Sequence, residues 1–200
     1  MKNNRKVIYA IFSLILYQCF IYFISKFTSL NIRTLNSNVD LYIPFVPYFV
    51  YLYIFWYIML LLVPYYIYKY DEKTFKKYFI STCLGITICG IIYIFFPTTV
   101  LRPNFRVNNI TTFILNTVYM LDTPALNCFP SMHCMICFNF ILFSIINKKL
   151  PIIYKILIII LSILVILSTI FIKQHVVLDV FSSFIISLVI FVFSIIFFKE

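Results

Sequence analysis

Long runs of Ile, Leu, Phe and Tyr are the feature that most constrains how this chain can fold. Hydrophobic residues make up 64% of the sequence and charged residues only 11%, a far more apolar balance than that of a soluble domain. The runs do not alternate as membrane β-strands do, so they favour helices as the spanning element. We therefore expect one all-α integral membrane domain covering residues 1–200.

Six apolar segments can be delimited, and most have the ~20 residues that cross ~30 Å of hydrocarbon. The N-terminal run begins like a signal peptide, but no small-residue cleavage site follows it, so we interpret it as an uncleaved first span. The fourth segment is the shortest. The prediction is a six-transmembrane-helix bundle with spans at about 7–30, 45–68, 78–97, 131–147, 151–172 and 175–198.

Lysine and arginine predict the orientation of this bundle, because cytoplasmic loops carry an excess of positive charge. With the N-terminus inside, the cytoplasmic side carries eleven basic residues, and the outer side carries five: Lys26, Arg33, Arg102, Arg106 and Lys173. The sequence thus predicts a multi-pass cell-membrane protein with both termini in the cytoplasm. Membrane topology also accounts for the formal charge of +10 without a nucleic-acid partner.

Two long loops lie on the predicted outer side. The first, about 31–44, contains a single acid, Asp40, which we expect to be solvated. The second, about 98–130, contains a stretch with an apolar face and a polar face, which predicts a short helix lying at the membrane surface. Such a helix could gate lipid access or simply pack on the bundle. Its apolar face comprises Ile110, Phe113, Ile114, Val118 and Leu121, and its polar face Thr111, Thr112 and Asn116.

Six cysteines lie mostly inside the predicted spans, unlike a disulfide framework. Cys128, His133 and Cys134 could belong to a metal site, but the sequence offers no second pair of ligands. We interpret these cysteines as small buried apolar residues and predict neither a metal ion nor another cofactor.

His175 and Asp179 interrupt the apolar C-terminal half. Four residues apart, they share one face of a helix and can touch. Asp179 can accept a hydrogen bond from one ring nitrogen of His175, which leaves the other neutral and able to act as a nucleophile toward phosphorus. The alternative is a buried pair that only ties spans together. Ionisable groups at membrane depth are costly and persist mostly where they pair or react.

Two further clusters fall on the same predicted side. Arg102, followed by Pro103, is a planar, permanently charged donor suited to phosphate oxygens, although an arginine at a span end is often a lipid-headgroup anchor. Pro130 and Ser131 indicate the start of the fourth span, where free N–H groups and the helix dipole favour an anion. His133 follows in the opening turn, and it could equally be a hydrogen-bonded residue of a capped helix.

Together the three clusters resemble the type-2 phosphatidic acid phosphatase superfamily, which has a six-span core. Its signatures K-x6-R-P, P-S-G-H and S-R-x5-H-x3-D are matched in order by Arg102-Pro103, Pro130-Ser131-x-His133 and Ser168-x6-His175-x3-Asp179. The stretch from Asp40 to Pro47 and the run Lys173-Gln174-His175 look similar to a subgroup related to inositolphosphotransferases and sphingolipid synthases.

The resemblance implies a role for each residue. His175 would attack the substrate phosphorus and form a phosphohistidine, with Asp179 orienting its ring. His133 would protonate the leaving group and then activate water or an acceptor alcohol. Arg102, Ser131 and Ser168 would bind the phosphoryl oxygens as charge builds in the transition state. The scheme needs no metal.

The chain departs from the family signatures at three positions. Phe95 stands at the lysine of the first signature, Met132 at the glycine of the second and Thr169 at the arginine of the third. We hypothesise that Lys173, which on a continuing helix would share a face with Thr169, replaces the missing arginine. Arg106 would replace the missing lysine, and the methionine would narrow the pocket.

Three functional hypotheses follow. The preferred one is an outward-facing phosphatase acting on a membrane lipid substrate, either a lipid phosphate or a prenyl pyrophosphate. The second keeps the chemistry but moves a phosphoryl-linked headgroup to an alcohol acceptor. The third is a non-catalytic transporter or scaffold, against which the sequence shows neither internal repeats nor polar residues at the centre of its spans.

Overall fold

The computed structural model describes residues 4–27 and 31–198, so the end of the first predicted span and the basic residues Lys2 and Lys199 lie outside it. A 3₁₀ turn, Pro47–Phe49, leads into the third helix. Two short strands, β1 (Arg33–Thr34) and β2 (Thr98–Thr99), form a parallel pair. The helices are α1 (Asn4–Ser25), α2 (Asn38–Tyr42), α3 (Val50–Tyr70), α4 (Glu72–Phe95), α5 (Ile110–Leu121), α6 (Met132–Ile146), α7 (Ile152–Phe171) and α8 (Val177–Phe197).

The expectation of an all-helical, membrane-embedded chain is confirmed. Five of the described helices are long and apolar enough to cross a membrane: α1, α3 with its leading turn, α4, α7 and α8. The helix in the fourth predicted segment, α6, is apolar but has only 15 residues. The helix predicted between the third and fourth segments is α5, with 12 residues.

One end of the bundle is closed by tight turns, and we call it the opposite end. Asp71 alone separates α3 from α4, and its carboxylate accepts a hydrogen bond of 2.6 Å from Thr74. Asn147, between α6 and α7, donates to the carbonyl of Ile67 and accepts from the N–H of Leu150. These side chains satisfy backbone groups that the helix ends leave unpaired.

Helix α6 lies inside the bundle, against α4, α7 and α8. Its contact with α8 depends on small residues, because serine lets two helices approach closely in an apolar environment. Ser183 and Ser187, one turn apart, donate hydrogen bonds of 2.8 Å and 2.9 Å to the carbonyls of Ser131 and Met135. The start of α6 is therefore held in register with the start of α8.

The other end of the bundle, which we call the site end, gathers the long connections. In the parallel pair Arg33 lies opposite Thr98, and Thr98 also bridges to Asn127. The hydroxyl of Thr98 accepts a hydrogen bond of 2.8 Å from the N–H of Phe129. Residues 31–34, 98–99 and 126–129 are thereby drawn together at the level where α6 and α8 begin.

Helix α5 lies at this same end with its predicted polar face inward. Thr111 is buried and its hydroxyl is 3.0 Å from that of Tyr51 in α3. The hydroxyl of Tyr119 donates to the carbonyl of Ile172 in the α7–α8 turn. Ile110 and Leu121, from the predicted apolar face, are 72% and 78% exposed, whereas Ile114 and Val118 of that face are partly buried and pack against the core.

Two glycines of α4 give the fold a direct test. A Cβ at Gly90 would lie 2.4 Å from Cγ2 of Ile21 in α1, and a β-branched side chain has little freedom to move away. A Cβ at Gly85 would lie 2.6 Å from Sδ of Met135, the far part of a flexible side chain that can rotate.

We expect Gly90→Ala to lower the free energy of unfolding by about 1–3 kcal/mol, the usual cost of overpacking. Gly85→Ala should be close to neutral, because a gain of about 1 kcal/mol in helix propensity offsets a small rearrangement. The apparent melting temperatures of the two variants in detergent provide the measurement. Equal melting temperatures would contradict the close approach of α1 and α4 at Gly90.

Candidate active site

His175 and Asp179 are in contact, as expected, but they do not share a helix face. Helix α8 begins at Val177, so His175 precedes the helix and Asp179 lies in its first turn. Nδ1 of His175 lies 3.2 Å from Oδ2 of Asp179 and 3.0 Å from the carbonyl oxygen of Cys128. The same Oδ2 accepts a hydrogen bond of 3.0 Å from the N–H of Val176. The two side chains are 6% and 0% exposed, so the pair is sheltered from solvent.

The surroundings of Nδ1 determine the tautomer of His175. Both neighbours of this nitrogen, a carboxylate and a carbonyl, are acceptors, so Nδ1 carries the proton. In the neutral ring Nε2 is then unprotonated and holds a lone pair. No hydrogen bond joins Nε2 to another side chain in the described part of the chain. This nitrogen is available to a substrate.

His133 lies in the first turn of α6, and its ring centroid is 5.8 Å from that of His175. Two aromatic rings of α3 hold it: Trp56 at 4.2 Å and Tyr53 at 4.8 Å between centroids. Nε2 of His133 and Nε1 of Trp56 are both buried without a hydrogen-bond partner among the described residues. Since buried polar groups are nearly always paired, these two nitrogens are candidates for contact with a bound molecule.

Ser131 is the N-cap of α6, as the Pro-Ser pattern predicts. Its hydroxyl accepts a hydrogen bond of 3.3 Å from the N–H of Cys134, and its own N–H donates to the carbonyl of Asp179. Tyr93 of α4 anchors the preceding turn by donating to the carbonyl of Pro130, at 2.6 Å. The N-terminus of α6 is therefore fixed beside the His175–Asp179 pair.

Arg102 lies in the connection between β2 and α5, and several groups bind its guanidinium. One of its terminal nitrogens, Nη2, donates to both Asp122 and Gln174, and Nη1 donates to the carbonyl of Tyr119 at 3.2 Å. The guanidinium also lies over the ring of Tyr119, 4.5 Å from its centroid. Gln174 directly precedes His175, so the arginine is attached to the same turn as the histidine.

Lys173 does not lie on a continuing helix, which corrects that part of the sequence interpretation. Helix α7 ends at Phe171, and Lys173 adopts the left-handed conformation with φ 54°. Its ammonium donates to the carbonyls of Asp40 and Ile43, at 2.9 Å and 2.6 Å. The side chain therefore spans from the α7–α8 turn to the first long loop, and one of its three N–H groups has no described acceptor.

No hydrogen bond joins the other two predicted phosphate-binding residues, Ser168 and Arg106, to the histidines in the described part of the chain. Ser168 is buried in α7, where its hydroxyl donates a hydrogen bond of 2.6 Å to the carbonyl of Val165. Arg106 is exposed, and no hydrogen bond or ion pair links it to the described residues. Thr169 stands at the position of the missing arginine. Its hydroxyl lies 3.6 Å from Sγ of Cys134, and this contact joins α7 to α6.

Asp40 is not the solvated loop residue expected from the sequence. It is 5% exposed, and its carboxylate accepts hydrogen bonds from the N–H of Val177 at 2.9 Å and from Ser37. Burial alone would raise the pKa of Asp40, but these hydrogen bonds and the nearby charge of Lys173 bring the pKa below its usual value. An acid placed here stabilises the N-terminus of α8 directly beside His175.

A small cavity, partly open to solvent, lies against His175. Its polar lining comes from the first long loop, through Asn36 and Asp40, and from Lys173. Apolar residues close the rest of its wall: Val100, Leu101, Ile170 and Val176.

Cys128 contacts His175 through its carbonyl rather than its thiol, and burial raises the pKa of that thiol. Within residues 4–27 and 31–198, no three His, Cys, Asp or Glu side chains are grouped so that they could hold a metal ion.

Four residues near the histidines were not identified from the sequence as part of the site: Asp40, Trp56, Asp122 and Gln174. Asp122 follows a helix predicted to lie at the surface, and Trp56 looks like one aromatic residue among many in its span. Gln174 offered a signal, because a polar amide stands between Lys173 and His175 in an apolar region. Contacts between residues far apart in sequence, such as that of Arg102 with Gln174, leave no local sequence pattern from which they could be predicted.

Comparison with known proteins gives one match. A family model described as the PAP2 superfamily matches residues 74–200, well over half of the chain, and this segment contains all the residues of the three signature-like clusters. No curated protein and no solved structure matches the chain significantly.

Asp40→Asn tests the role of the buried acid. The amide can still accept from Val177, but its NH₂ group would meet the donors of Ser37, so we expect a loss of about 1–3 kcal/mol in stability at neutral pH. Because the folded-state pKa is lowered, the contribution of the carboxylate is complete above the unfolded pKa of about 3.9 and is lost as the pH falls through the folded pKa.

The measurement is the difference in apparent melting temperature between the wild type and Asp40→Asn, taken across an acidic pH series in detergent. The difference should shrink at the acid end. A difference that stays constant with pH, or none at neutral pH, would contradict the assignment.

Proposed function

The chain belongs to the PAP2 superfamily, and on that premise we propose that it is a membrane phosphatase with His175 as its nucleophile. Its substrate would be a lipid phosphate or a prenyl pyrophosphate. The observation that carries the proposal is the pairing of Nδ1 with two acceptors, which leaves the lone pair of Nε2 unused and next to a second histidine.

The first chemical step forms a phosphohistidine. Nε2 of His175 attacks phosphorus, a P–N bond forms and the bond to the leaving oxygen breaks. Asp179 stabilises the positive charge that develops on the ring of His175. His133 gives its proton to the leaving alcohol or phosphate, a role supported by its position 5.8 Å from His175 and by its unpartnered Nε2.

The second step returns the enzyme to its starting state. His133, now neutral, removes a proton from a water molecule as that water attacks the phosphohistidine. The P–N bond breaks, its electron pair returns to Nε2 of His175, and inorganic phosphate leaves. His133 thus acts as the acid in the first step and as the base in the second.

Phosphoryl oxygens would be bound by Arg102, Ser131 with the first turn of α6, and Lys173. Backbone N–H groups at a helix N-terminus and fixed cations stabilise charge that develops in the transition state. Ser168 and Arg106 stay predictions from the sequence only. No metal enters this scheme.

A phosphotransferase is the second candidate, and the cavity beside His175 favours it. Asn36 and Asp40 line this cavity, and both come from residues that precede the matched segment. Polar side chains at that place suit the hydroxyl groups of an acceptor alcohol. In that case the donor would be a lipid phosphodiester, whose lipid alcohol leaves in the first step while the phosphoryl-linked headgroup stays on Nε2 of His175. An acceptor alcohol would replace water in the second step and receive that headgroup as the P–N bond breaks.

We further propose six spans, with α6 as the shortest and α5 at the membrane interface. Burial of α6 between longer helices permits a short span, because neighbouring helices shield it from lipid. The exposed Ile110, Phe113 and Leu121 of α5 suit contact with lipid. The excess of basic residues at the opposite end supports cytoplasmic termini and an extracytoplasmic site in the cell membrane.

His175→Ala should lower phosphate release by at least ~10³-fold, because it removes the nucleophile. The purified protein is assayed with phosphatidate and undecaprenyl pyrophosphate in the presence of a chelator. Lys149→Ala at the opposite end is the control and should behave as the wild type. Undiminished release by His175→Ala would disprove the nucleophile assignment. No release by the wild type from either lipid would favour the transferase or a non-catalytic scaffold.

Lys173→Ala should lower the same activity by about 10²-fold if the ammonium binds a phosphoryl oxygen. Lys173→Gly should lose as much activity while relieving the left-handed backbone, so its melting temperature should exceed that of Lys173→Ala. Lys155→Ala, which removes an ammonium at the other end of α7, is the matched control. Full activity in either Lys173 variant would show that this residue does not replace the missing arginine.

A further inference from the structure

Asp122, at the C-terminus of α5, lies outside the three signatures and is the centre of a polar cluster. We call it the Asp122 cluster: Tyr22, Lys26, Arg102, Asp122 and Gln174. One carboxylate oxygen of Asp122 accepts from Nη2 of Arg102, and the other accepts from the hydroxyl of Tyr22. The ammonium of Lys26 lies 3.5 Å from that second oxygen.

The cluster is sheltered, so its charges are only partly screened by water. The side chains of Arg102, Asp122 and Lys26 are 14%, 25% and 17% exposed. Two cations share one carboxylate, and the cluster therefore keeps a net positive charge. Asp122 does not cancel the attraction of this region for an anion.

The contacts of Arg102 leave particular N–H groups free. Asp122 and Gln174 occupy Nη2, and the carbonyl of Tyr119 accepts from Nη1. Nε of Arg102 is buried and has no hydrogen-bond partner in the described part of the chain. A guanidinium held by three acceptors has lost its rotational freedom, so the directions of its remaining donors are fixed.

Helix α1 joins the cluster although it lies outside the segment that matches the family. Besides the bond from the hydroxyl of Tyr22, the carbonyl of the same residue accepts a hydrogen bond of 3.1 Å from Asn127. Lys26 also lies over the ring of Tyr22, 4.6 Å from its centroid. These contacts attach the end of α1 to the loop before Ser131 and to Asp122.

We propose that Asp122 is a positioning residue that orients Arg102 toward the phosphoryl group, and that α1 supports it through Tyr22 and Lys26. The inference rests on the proposed function, because it assumes that Arg102 binds phosphate. It assigns a functional role to a helix that the family signatures do not cover. Loss of the carboxylate would free the guanidinium to rotate, and small misplacements of a binding group cost large factors in rate.

The test uses the full chain in detergent with Asp122→Ala, the near-isosteric Asp122→Asn, and Tyr22→Phe. The control is Asp71→Asn, whose carboxylate pairs with Lys149 at the opposite end. Two readouts are taken: kcat and KM on the lipid phosphate that the wild type hydrolyses, and the shift of melting temperature when inorganic phosphate replaces chloride at constant ionic strength.

We expect Asp122→Ala to lower kcat/KM at least about tenfold and to abolish the phosphate-dependent shift. Asp122→Asn should lie between this variant and the wild type, because its amide oxygen can still accept one hydrogen bond. Tyr22→Phe should show a smaller loss of both quantities, and Asp71→Asn should change neither.

A purely structural role gives a different result: a lower melting temperature without phosphate, but an unchanged KM and an unchanged phosphate-dependent shift. That result overturns the inference, as does a wild type that shows no shift with phosphate, since Arg102 would then bind none. A wild type that binds phosphate but hydrolyses no lipid contradicts the proposed function alone. In that case the shift in the Asp122 variants still decides the inference.

Discussion

The buried hydrogen bond between His175 and Asp179 is the interaction on which the site end depends. Burying an ionisable pair is costly unless its polar atoms are hydrogen-bonded. Nδ1 of His175 and Oδ2 of Asp179 have partners, whereas Oδ1 of Asp179 has none among the described residues. The carbonyl of Cys128 and the N–H of Val176 supply two of these partners. To place them there, the loop before α6 must lie against the start of α8. The tight connection at 126–131 and the serine contacts between α6 and α8 follow from this requirement.

The apolar bundle acts as a frame that brings three helix ends to one level. Helices α4 and α7 finish at the site end, and α6 begins there, so residues distant in sequence meet at this end. Segments before residue 74 then complete the site. Tyr53 and Trp56 hold His133, and Asp40 holds the start of α8. The proposed reacting groups belong to the matched segment, whereas several groups that hold them come from the preceding helices and loop.

The helices and the meeting of His175 with Asp179 could be predicted because both depend on local spacing. A span of apolar residues in lipid must satisfy its own backbone, and a histidine and an acid four residues apart lie close along the chain. The expected shared helix face was wrong, because α8 begins at Val177 and His175 precedes it. The prediction for Asp40 was wrong because the residue appeared to be one acid in a polar loop. Its partner, the N–H of Val177, is 137 residues away. The helix expected to reach Lys173 stops early, because the turn into α8 requires a left-handed residue there.

By itself, the sequence determined that the chain is a membrane-embedded helical protein, that its two histidines and Arg102 follow the order of the PAP2 signatures, and that His175 pairs with Asp179. These properties follow from composition, periodicity and residue spacing. Only the tertiary structure decided which cations and acids stand beside the histidines. It attached Arg102 to Asp122 and Gln174, Lys173 to the first loop, and His133 to the rings of α3. Such contacts arise where helix ends and loops converge in space, and no local sequence pattern encodes them.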